Sequence, residues 1–190
     1  MKEKPFIFFN GQTFYDFSDF SFPLNRAMLY GESIFTTFLF SEKTPYYLLE
    51  HLSRTYKGIE FLYGKNFLTF ELYKNVWQSL ICAFESCRDG IDYSFRLTFF
   101  LKSLSRSFLS DDKDELCFFL LGSPIGISKR RSKGVSLALA QGRRLQDGKP
   151  SFLKMGNYGD TLIELRNAKK KGFDDVLFLD FKNRVKECST

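Results

Sequence analysis

The sequence is poor in the residues that build metal and redox centres. Its 190 residues include one histidine, His51, and four cysteines: Cys82, Cys87, Cys117 and Cys188. Because no two of these cysteines form a CxxC pair of the kind that binds zinc, we predict no metal site. The cysteines are interpreted as small buried hydrophobic residues and His51 as a structural residue on a helix face.

Long apolar runs are also missing. No stretch approaches the roughly 20 apolar residues that a membrane-spanning helix needs. The N-terminal sequence MKEKPFIFF has neither the long apolar region nor the cleavage site of a secretory signal. We therefore expect a cytoplasmic protein that has no membrane partner.

The chain does contain a normal apolar fraction with many aromatic side chains. Hydrophobic residues make up 44% of the sequence and aromatic residues 18%, with 24 phenylalanines. This is enough for the core of one large domain or two small ones. The net charge of +6 favours anionic ligands. The basic residues are dispersed and form no basic–aromatic motif, so no nucleic-acid partner is predicted.

The order of the predicted elements indicates an α+β protein in two lobes. Strand patterns come first, two amphipathic helices follow, and two further strands close the first lobe. Residues 123–133 combine a proline, a glycine and a charge run, and are the predicted linker. The predicted domains are therefore an N-terminal α+β domain over 1–122, the linker over 123–133, and the start of a C-terminal domain over 134–190.

Helical periodicity locates the two amphipathic helices. The apolar face of the first is predicted to consist of Leu49, Leu52, Tyr56 and Ile59. The second helix is predicted to run from about Thr69 to Cys87. Its apolar stripe consists of Leu72, Val76, Leu80 and Phe84.

The last stretch of the chain carries the most chemistry. Lys154 lies in a predicted loop, followed by a helix from about Gly159 to Lys171, a buried strand, a turn, and a strand that holds Glu187. A lysine and a carboxylate at opposite ends of such a unit are suited to hold the two ends of one flat, charged cofactor.

Motif segments spread over the whole chain resemble one enzyme family. In chain order they are Asn10-Gly11, Asn25 to Thr37, Glu50-His51-Leu52-Ser53-Arg54, Lys154-Met155-Gly156-Asn157-Tyr158, Asp175 to Asp180, and Val185 to Thr190. Their order and spacing resemble the fold-type IV pyridoxal-phosphate enzymes, which include branched-chain aminotransferases, D-amino acid aminotransferases and aminodeoxychorismate lyases. The resemblance implies a two-lobed architecture of that type. It also implies an incomplete second lobe, because family members continue beyond the position of Thr190.

By this resemblance, the site is built around pyridoxal 5′-phosphate. Lys154 is the expected Schiff-base lysine, which afterwards moves protons at the substrate carbon. Arg54 is expected to pair with the cofactor phosphate. Glu187 is expected to hold the protonated ring nitrogen, which keeps the ring an electron sink.

The resemblance assigns further residues around the same cofactor. Tyr158 is expected at the 3′-oxygen, with core packing as the alternative. Ser189 and Thr190 complete the expected cofactor contacts. Tyr30 and Thr36 are expected to line the substrate pocket, although simple packing explains Tyr30 equally well.

The expected activity is transfer of an amino group between an amino acid and a 2-oxo acid, in a homodimer. Two departures, Phe35-Thr36-Thr37 for the family's frequent Phe-Glu-Thr and Glu187-Cys188 for Glu-Gly, instead resemble aminodeoxychorismate lyase. That lyase, which forms 4-aminobenzoate and pyruvate, is the first alternative. The second is a shortened, non-catalytic family member that acts as a binding partner.

Overall fold

The structure, a computed structural model, describes residues 5–9, 12–15, 25–102, 114–126, 134–144 and 153–189. The described residues form two compact units. The first contains those up to 126 together with 153–157, and the second contains 134–144 and 158–189. Two of the sequence expectations, the Asn10-Gly11 turn and the role of Thr190, lie outside the described residues.

The first unit is built on a six-stranded antiparallel sheet. Its strands are β1 (Phe6–Phe9), β2 (Gln12–Phe14), β3 (Ser33–Ser41), β4 (Thr44–Pro45), β5 (Asp92–Lys102) and β6 (Glu115–Ile125). Their order across the sheet is β2-β1-β6-β5-β3-β4. The long β5 is central and is buried along most of its length, which explains its almost continuous apolar sequence.

Three helices accompany this sheet. They are α1 (Arg26–Tyr30), α2 (Leu48–Tyr63) and α3 (Phe70–Glu85), with a 3-10 turn at Lys65–Phe67 between the last two. The side chain of Thr69 caps α3 by accepting a hydrogen bond from the Leu72 amide at 3.1 Å. No helix within the described ranges is long and apolar enough to cross a membrane.

The main core lies between the sheet and the helices α2 and α3. Leu72, Val76 and Leu80 are buried there and Phe84 packs against them, which confirms the predicted stripe of α3. The rings of Phe40 and Phe84 stack at a centroid distance of 4.7 Å. A smaller cluster of Ile7, Phe9 and Phe100 covers the opposite sheet face.

The predicted phase of α2 was wrong at its first residue. Leu49 is 68% exposed, whereas Leu48 is 8% exposed and faces the core. The turn before the helix sets this phase, because Tyr47 adopts a left-handed conformation (φ 53°) and the helix starts directly after it. Leu48, Leu52 and Ile59 then lie on the buried face at helical spacing.

The second unit contains three strands and one helix. They are β7 (Leu137–Arg144), α4 (Gly159–Lys170), β8 (Asp175–Asp180) and β9 (Val185–Cys188). β7 and β8 are parallel, while β8 and β9 are antiparallel. The helix α4 lies between the two parallel strands in the chain, as a crossover connection requires. Its small core consists of Ala140, Ala168, Val176 and Phe178.

The turn from β8 to β9 is organised by the buried carboxylate of Asp180. Its Oδ1 accepts hydrogen bonds from the amides of Lys182 at 2.8 Å and Arg184 at 2.9 Å. Its Oδ2 accepts one from Arg184 Nε at 2.8 Å. These bonds, led by the Arg184 amide, lower the pKa of Asp180. They also return the chain so that Glu187 lies opposite Phe178.

The segmentation differs from the predicted domain boundaries at two places. Residues 123–125 belong to β6 rather than to a linker, because they continue the ladder with β5. Residues 153–157 were assigned to the C-terminal domain, but they group with the first unit. This places Lys154 in the first unit.

Gly122 offers a test of the packing in the first unit. A Cβ atom at Gly122 would lie 2.6 Å from Phe6 Cζ and 2.9 Å from Phe95 Cε1, within a fully packed core. Gly122→Ala should therefore lower the free energy of unfolding by about 1–3 kcal/mol in urea titrations. Gly126→Ala is the control, since a Cβ there meets nothing within 4 Å. Equal stability of both variants would contradict this packing.

The Asp180 turn predicts a specific acid sensitivity. A carboxyl whose pKa is lowered on folding stabilises the fold above its unfolded pKa of about 3.9, and that stabilisation is lost as pH falls through the folded pKa. Asp180→Asn should therefore have a lower Tm and faster amide exchange in β9 than the unsubstituted chain at pH 7. The two proteins should converge as pH falls below 4. A gap that stays constant down to pH 2 would overturn the assignment.

Candidate functional site

The segment that carries Lys154 is held at an open edge of β3. β4 pairs only with Phe40 and Ser41, at the far end of β3, so the first residues of the strand lack a partner strand on that side. Residues 154–156 fill this edge. The Phe35 amide donates to the Lys154 carbonyl at 3.0 Å, and the Gly156 amide donates to the Ser33 carbonyl at 2.9 Å. The backbone of Lys154 is therefore fixed by ladder hydrogen bonds.

Two glycines make this close approach possible. A Cβ atom on Gly156 would lie 2.1 Å from Ser33 Oγ. Gly31 has a left-handed conformation (φ 66°), and a Cβ there would lie 3.2 Å from Asn157 Cβ. The glycine after Met155 thus has a packing reason, because a side chain would push the segment away from β3.

The side chains of Lys154 and an arginine both lie next to the same aromatic ring. Lys154 Nζ lies 5.0 Å from the centroid of the Phe35 ring. The guanidinium carbon of Arg96, on β5, lies 3.5 Å from the same centroid. Phe35 is 3% exposed, so the two cations are positioned around a buried ring. This arrangement concentrates positive charge next to the lysine amine.

A second group of polar side chains lies where β3 meets α2. Arg54 Nη2 donates to Thr36 Oγ1 at 2.9 Å, and Thr36 Oγ1 lies 2.7 Å from His51 Nδ1. Thr36 is fully buried. The pKa of His51 is lowered, first by burial and then by the charges of Arg54 and Lys154, while Glu50 opposes the shift.

Arg54 has no carboxylate partner among the described residues. Its Nε is buried and donates to no acceptor there. Arg26 shows the contrast, since its Nη2 lies 2.6 Å from a carboxylate oxygen of Glu32. A buried guanidinium N–H group normally donates to an acceptor. Arg54 therefore has the unmet charge expected of an anion-binding residue.

An open hollow of about 460 Å³ borders Arg54 on the outer side of α2. It is lined by Leu49, Glu50, Ser53, Arg54 and Lys57. Ser53 and Lys57 add a hydroxyl and a second cation to Arg54, and Glu50 is the opposing charge. Lys154 does not line the hollow. The hollow alone therefore does not hold the lysine amine.

The Arg26–Glu32 pair fixes the loop between α1 and β3. The side chain of Asn25 caps α1 by accepting from the Met28 amide at 3.0 Å. The guanidinium of Arg26 also lies 5.2 Å from the centroid of Tyr30, which is half-buried. The pKa of Arg26 is raised, chiefly by its hydrogen bond to Glu32. Tyr30 is thus placed by a rigid ion-paired loop.

The remaining predicted residues lie in the second unit. Tyr158 precedes α4, and its carbonyl accepts from the Leu162 amide at 2.9 Å. Glu187 is exposed on β9. Ser189 is buried, and its hydroxyl is hydrogen-bonded to Asp175.

Comparison with known proteins gives this arrangement a family. The family model for class IV aminotransferases matches residues 33–190, which include Phe35, Thr36, Arg54, Lys154 and Glu187. The chain belongs to the class IV aminotransferases. This match confirms the family that the sequence motifs suggested. No curated protein matches the chain by sequence.

Several solved structures share the fold. The Escherichia coli branched-chain amino acid aminotransferase superposes with a TM-score of 0.76 at 17% identity, over 98% of this chain and 62% of that one. An aminotransferase from Brucella abortus bound to pyridoxal phosphate gives 0.77 at 18% identity, over 99% and 66%. A provisionally assigned 4-amino-4-deoxychorismate lyase gives 0.62 at 22% identity, over 90% and 63%. The expected α+β fold of this type is therefore confirmed, and the chain spans 62–66% of the length of these three proteins.

Within this class IV aminotransferase chain, sequence reasoning missed Arg96. It is a charged residue between Phe95 and Leu97, in a strand that is otherwise strongly apolar. That interruption was the available signal. Thr36 was expected to line the substrate pocket. In the structure its hydroxyl is hydrogen-bonded to Arg54 and His51. The roles of the individual site residues remain predictions.

The Thr36 hydroxyl offers a direct test of the polar group. Thr36→Val keeps the shape of the side chain but leaves Arg54 Nη2 and His51 Nδ1 without their shared partner. We expect the free energy of unfolding to fall by about 1–3 kcal/mol in urea titrations. Thr37→Val, on the opposite face of β3, is the matched control and should change stability by less than about 0.5 kcal/mol. An unchanged Thr36→Val variant would contradict the hydrogen-bonding scheme.

Proposed function

We propose that the chain is a pyridoxal-phosphate-dependent aminotransferase that moves an amino group between an amino acid and a 2-oxo acid. The observation that carries the proposal lies within the first unit. A lysine is pinned to the edge of β3 beside Phe35 and Arg96, and Arg54 on α2 has no carboxylate partner among the described residues. Such a set suits a ligand that carries both an aldehyde and a phosphate.

The donor set fits this cofactor chemically. Arg54 offers a guanidinium fork for a phosphate, with one nitrogen already fixed by Thr36 and another still lacking a partner. Lys154 offers the primary amine that an aldehyde requires. When bound, pyridoxal phosphate supplies the carbonyl carbon that accepts the amino group and the ring that accepts electrons.

The chain's own residues supply binding, orientation and proton transfer. Lys154 Nζ would hold the cofactor aldehyde and would afterwards hold and move the proton of the substrate α-carbon. The fixed backbone of Lys154 limits the range over which this amine travels. Arg96, stacked on Phe35, binds the substrate carboxylate and so orients the α-carbon. Tyr30, held by the Arg26 loop, is proposed to line the substrate pocket.

Residues of the second unit receive their roles by family resemblance. Glu187 is proposed to hold the protonated ring nitrogen, and the β8–β9 turn built on Asp180 fixes the strand that carries it. Tyr158 is proposed at the 3′-oxygen, and Ser189 and Thr190 at further cofactor atoms. The same resemblance supports a cytoplasmic homodimer that acts on small amino acids and 2-oxo acids.

Aminodeoxychorismate lyase is the second candidate. Thr36 stands where many aminotransferases have a glutamate, and Cys188 follows Glu187, two features that resemble the lyases. The fold also matches a structure provisionally assigned to that activity. A lyase releases pyruvate from aminodeoxychorismate without an amino acceptor. An aminotransferase instead leaves the cofactor in its amine form after a half-reaction with an amino acid.

Covalent trapping tests the proposal. The chain is mixed with pyridoxal phosphate, reduced with borohydride and digested for mass spectrometry. We expect one adduct, on Lys154, together with visible absorption before reduction. Lys154→Ala should lose the adduct, whereas Lys102→Ala, an exposed lysine on β5, should keep it.

Two outcomes would overturn the proposal. One is the absence of an adduct, and the other is an adduct that survives Lys154→Ala unchanged. Either result would favour a non-catalytic family member that acts as a binding partner. If the adduct forms, product analysis with branched-chain, D- and acidic amino acids, and with aminodeoxychorismate, separates the transferase from the lyase.

A further inference from the structure

The polar group between β3 and α2 has a feature that the proposed chemistry does not use. Arg54, Thr36 and His51 form a chain in which the Thr36 hydroxyl is the middle member. We propose that His51 is a positioning residue that acts through Thr36 on Arg54, and that it takes up a proton when an anion binds to Arg54. In naming the cofactor phosphate as the natural anion, the inference rests on the proposed function.

The hydrogen-bond directions follow from counting protons. Arg54 has donors and no acceptors, so Thr36 Oγ1 must accept from Nη2 at 2.9 Å. The single hydroxyl proton of Thr36 is then directed to His51 Nδ1, 2.7 Å away. We assign His51 as a neutral imidazole with its proton on Nε2, because Nδ1 then accepts from Thr36 and presents no proton to Arg54 Nη2, 3.4 Å away. In this state the threonine oxygen is oriented towards the guanidinium.

Protonation of His51 at Nδ1 changes this arrangement. Nδ1 becomes a donor, so Thr36 Oγ1 accepts from both neighbours and its own proton must turn elsewhere. A second positive charge also appears beside Arg54, since Nη2 lies 3.4 Å from Nδ1. Two adjacent cations repel each other strongly at a partly buried site. The neutral state of His51 is thus favoured as long as Arg54 lacks an anion.

The groups that face His51 give this region a net positive charge. The helix α2 contributes Arg54 and Glu50, and the segment 153–157 contributes Lys154. β3 contributes the uncharged Thr36 and the ring of Phe38, whose centroid is 6.0 Å from that of His51. Glu50 is the one carboxylate among the described residues that raises the pKa of His51. A dianion at Arg54 would therefore reverse the local balance.

Anion binding and proton uptake must then be linked. If a bound dianion favours the protonated imidazole, protonation of His51 must by reciprocity strengthen anion binding. We expect the pKa of His51 to rise by about one unit on saturation. Such a shift equals an affinity about tenfold higher for the protonated form than for the neutral form. The anion should consequently bind more tightly as pH falls through this range.

Sulfate is the best probe, because it stays doubly charged over the range in which His51 titrates, whereas a phosphate group itself titrates near pH 6. His51 is the sole histidine of the chain, so one imidazole resonance in the proton NMR spectrum reports its titration without assignment. The 190-residue chain is titrated from pH 5 to 9 with and without saturating sulfate. Sulfate affinity is measured in parallel by calorimetry at both ends of the range.

Variants separate positioning from a merely structural role. His51→Asn keeps an acceptor at the Nδ1 position but does not titrate, so sulfate should still bind, with no residual pH dependence. Thr36→Val should weaken sulfate binding several-fold and uncouple it from His51. Thr36→Ser keeps the hydroxyl and should restore both. Arg54→Ala should abolish binding and raise the pKa of His51 in the absence of sulfate.

The outcomes are distinct from those of the lysine trapping. A His51 resonance whose titration is unaffected by saturating sulfate overturns the inference, and so does a failure of sulfate to bind. If His51 does not respond but pyridoxal phosphate still modifies Lys154, the inference fails and the proposed function stands. If His51 responds but Lys154 is not modified, the anion site exists without the proposed chemistry.

Discussion

The open edge of β3 is the constraint on which the candidate site depends. β4 covers the far end of that strand and leaves Ser33 to Phe35, which pair with β5 on their other side, without a partner strand on this edge. The segment 154–156 satisfies these backbone groups from a distant part of the sequence. Since unpaired buried backbone groups are costly, this pairing fixes Lys154 more firmly than an ordinary loop. Gly31 and Gly156 are needed for the same contact, because it brings two backbones together.

β3 also distributes charge to both of its faces. Consecutive residues of a strand point to opposite sides, so Phe35 and Thr36 serve different surroundings. The ring of Phe35 contacts the cations of Lys154 and Arg96. The hydroxyl of Thr36 is hydrogen-bonded to Arg54 and His51. Two neighbouring residues of one strand thus organise both an amine with a nearby guanidinium and a separate anion-binding arginine.

Particular residues show how far the sequence could lead. The stripe of α3 was predictable because helical periodicity at Leu72, Val76 and Leu80 is a local property. The phase of α2 was not, because it depends on the left-handed Tyr47 in the preceding turn. Arg96 was missed since its partner, Phe35, lies on another strand. Motif order, by contrast, was sufficient to predict the family that the family model then confirmed.

The sequence by itself determined the family, the two-lobed α+β class and the residue types available for chemistry. These follow from local periodicity and from motifs whose order survives at low identity. The tertiary structure decided the grouping: Lys154 belongs with β3, Arg54 meets no carboxylate among the residues that the structure describes, and Thr36 joins Arg54 to His51. The first depends on pairing between β3 and a segment more than a hundred positions away, and the last on side-chain contacts between β3 and the helix α2. No local pattern encodes which edge of a sheet stays open or which segment fills it.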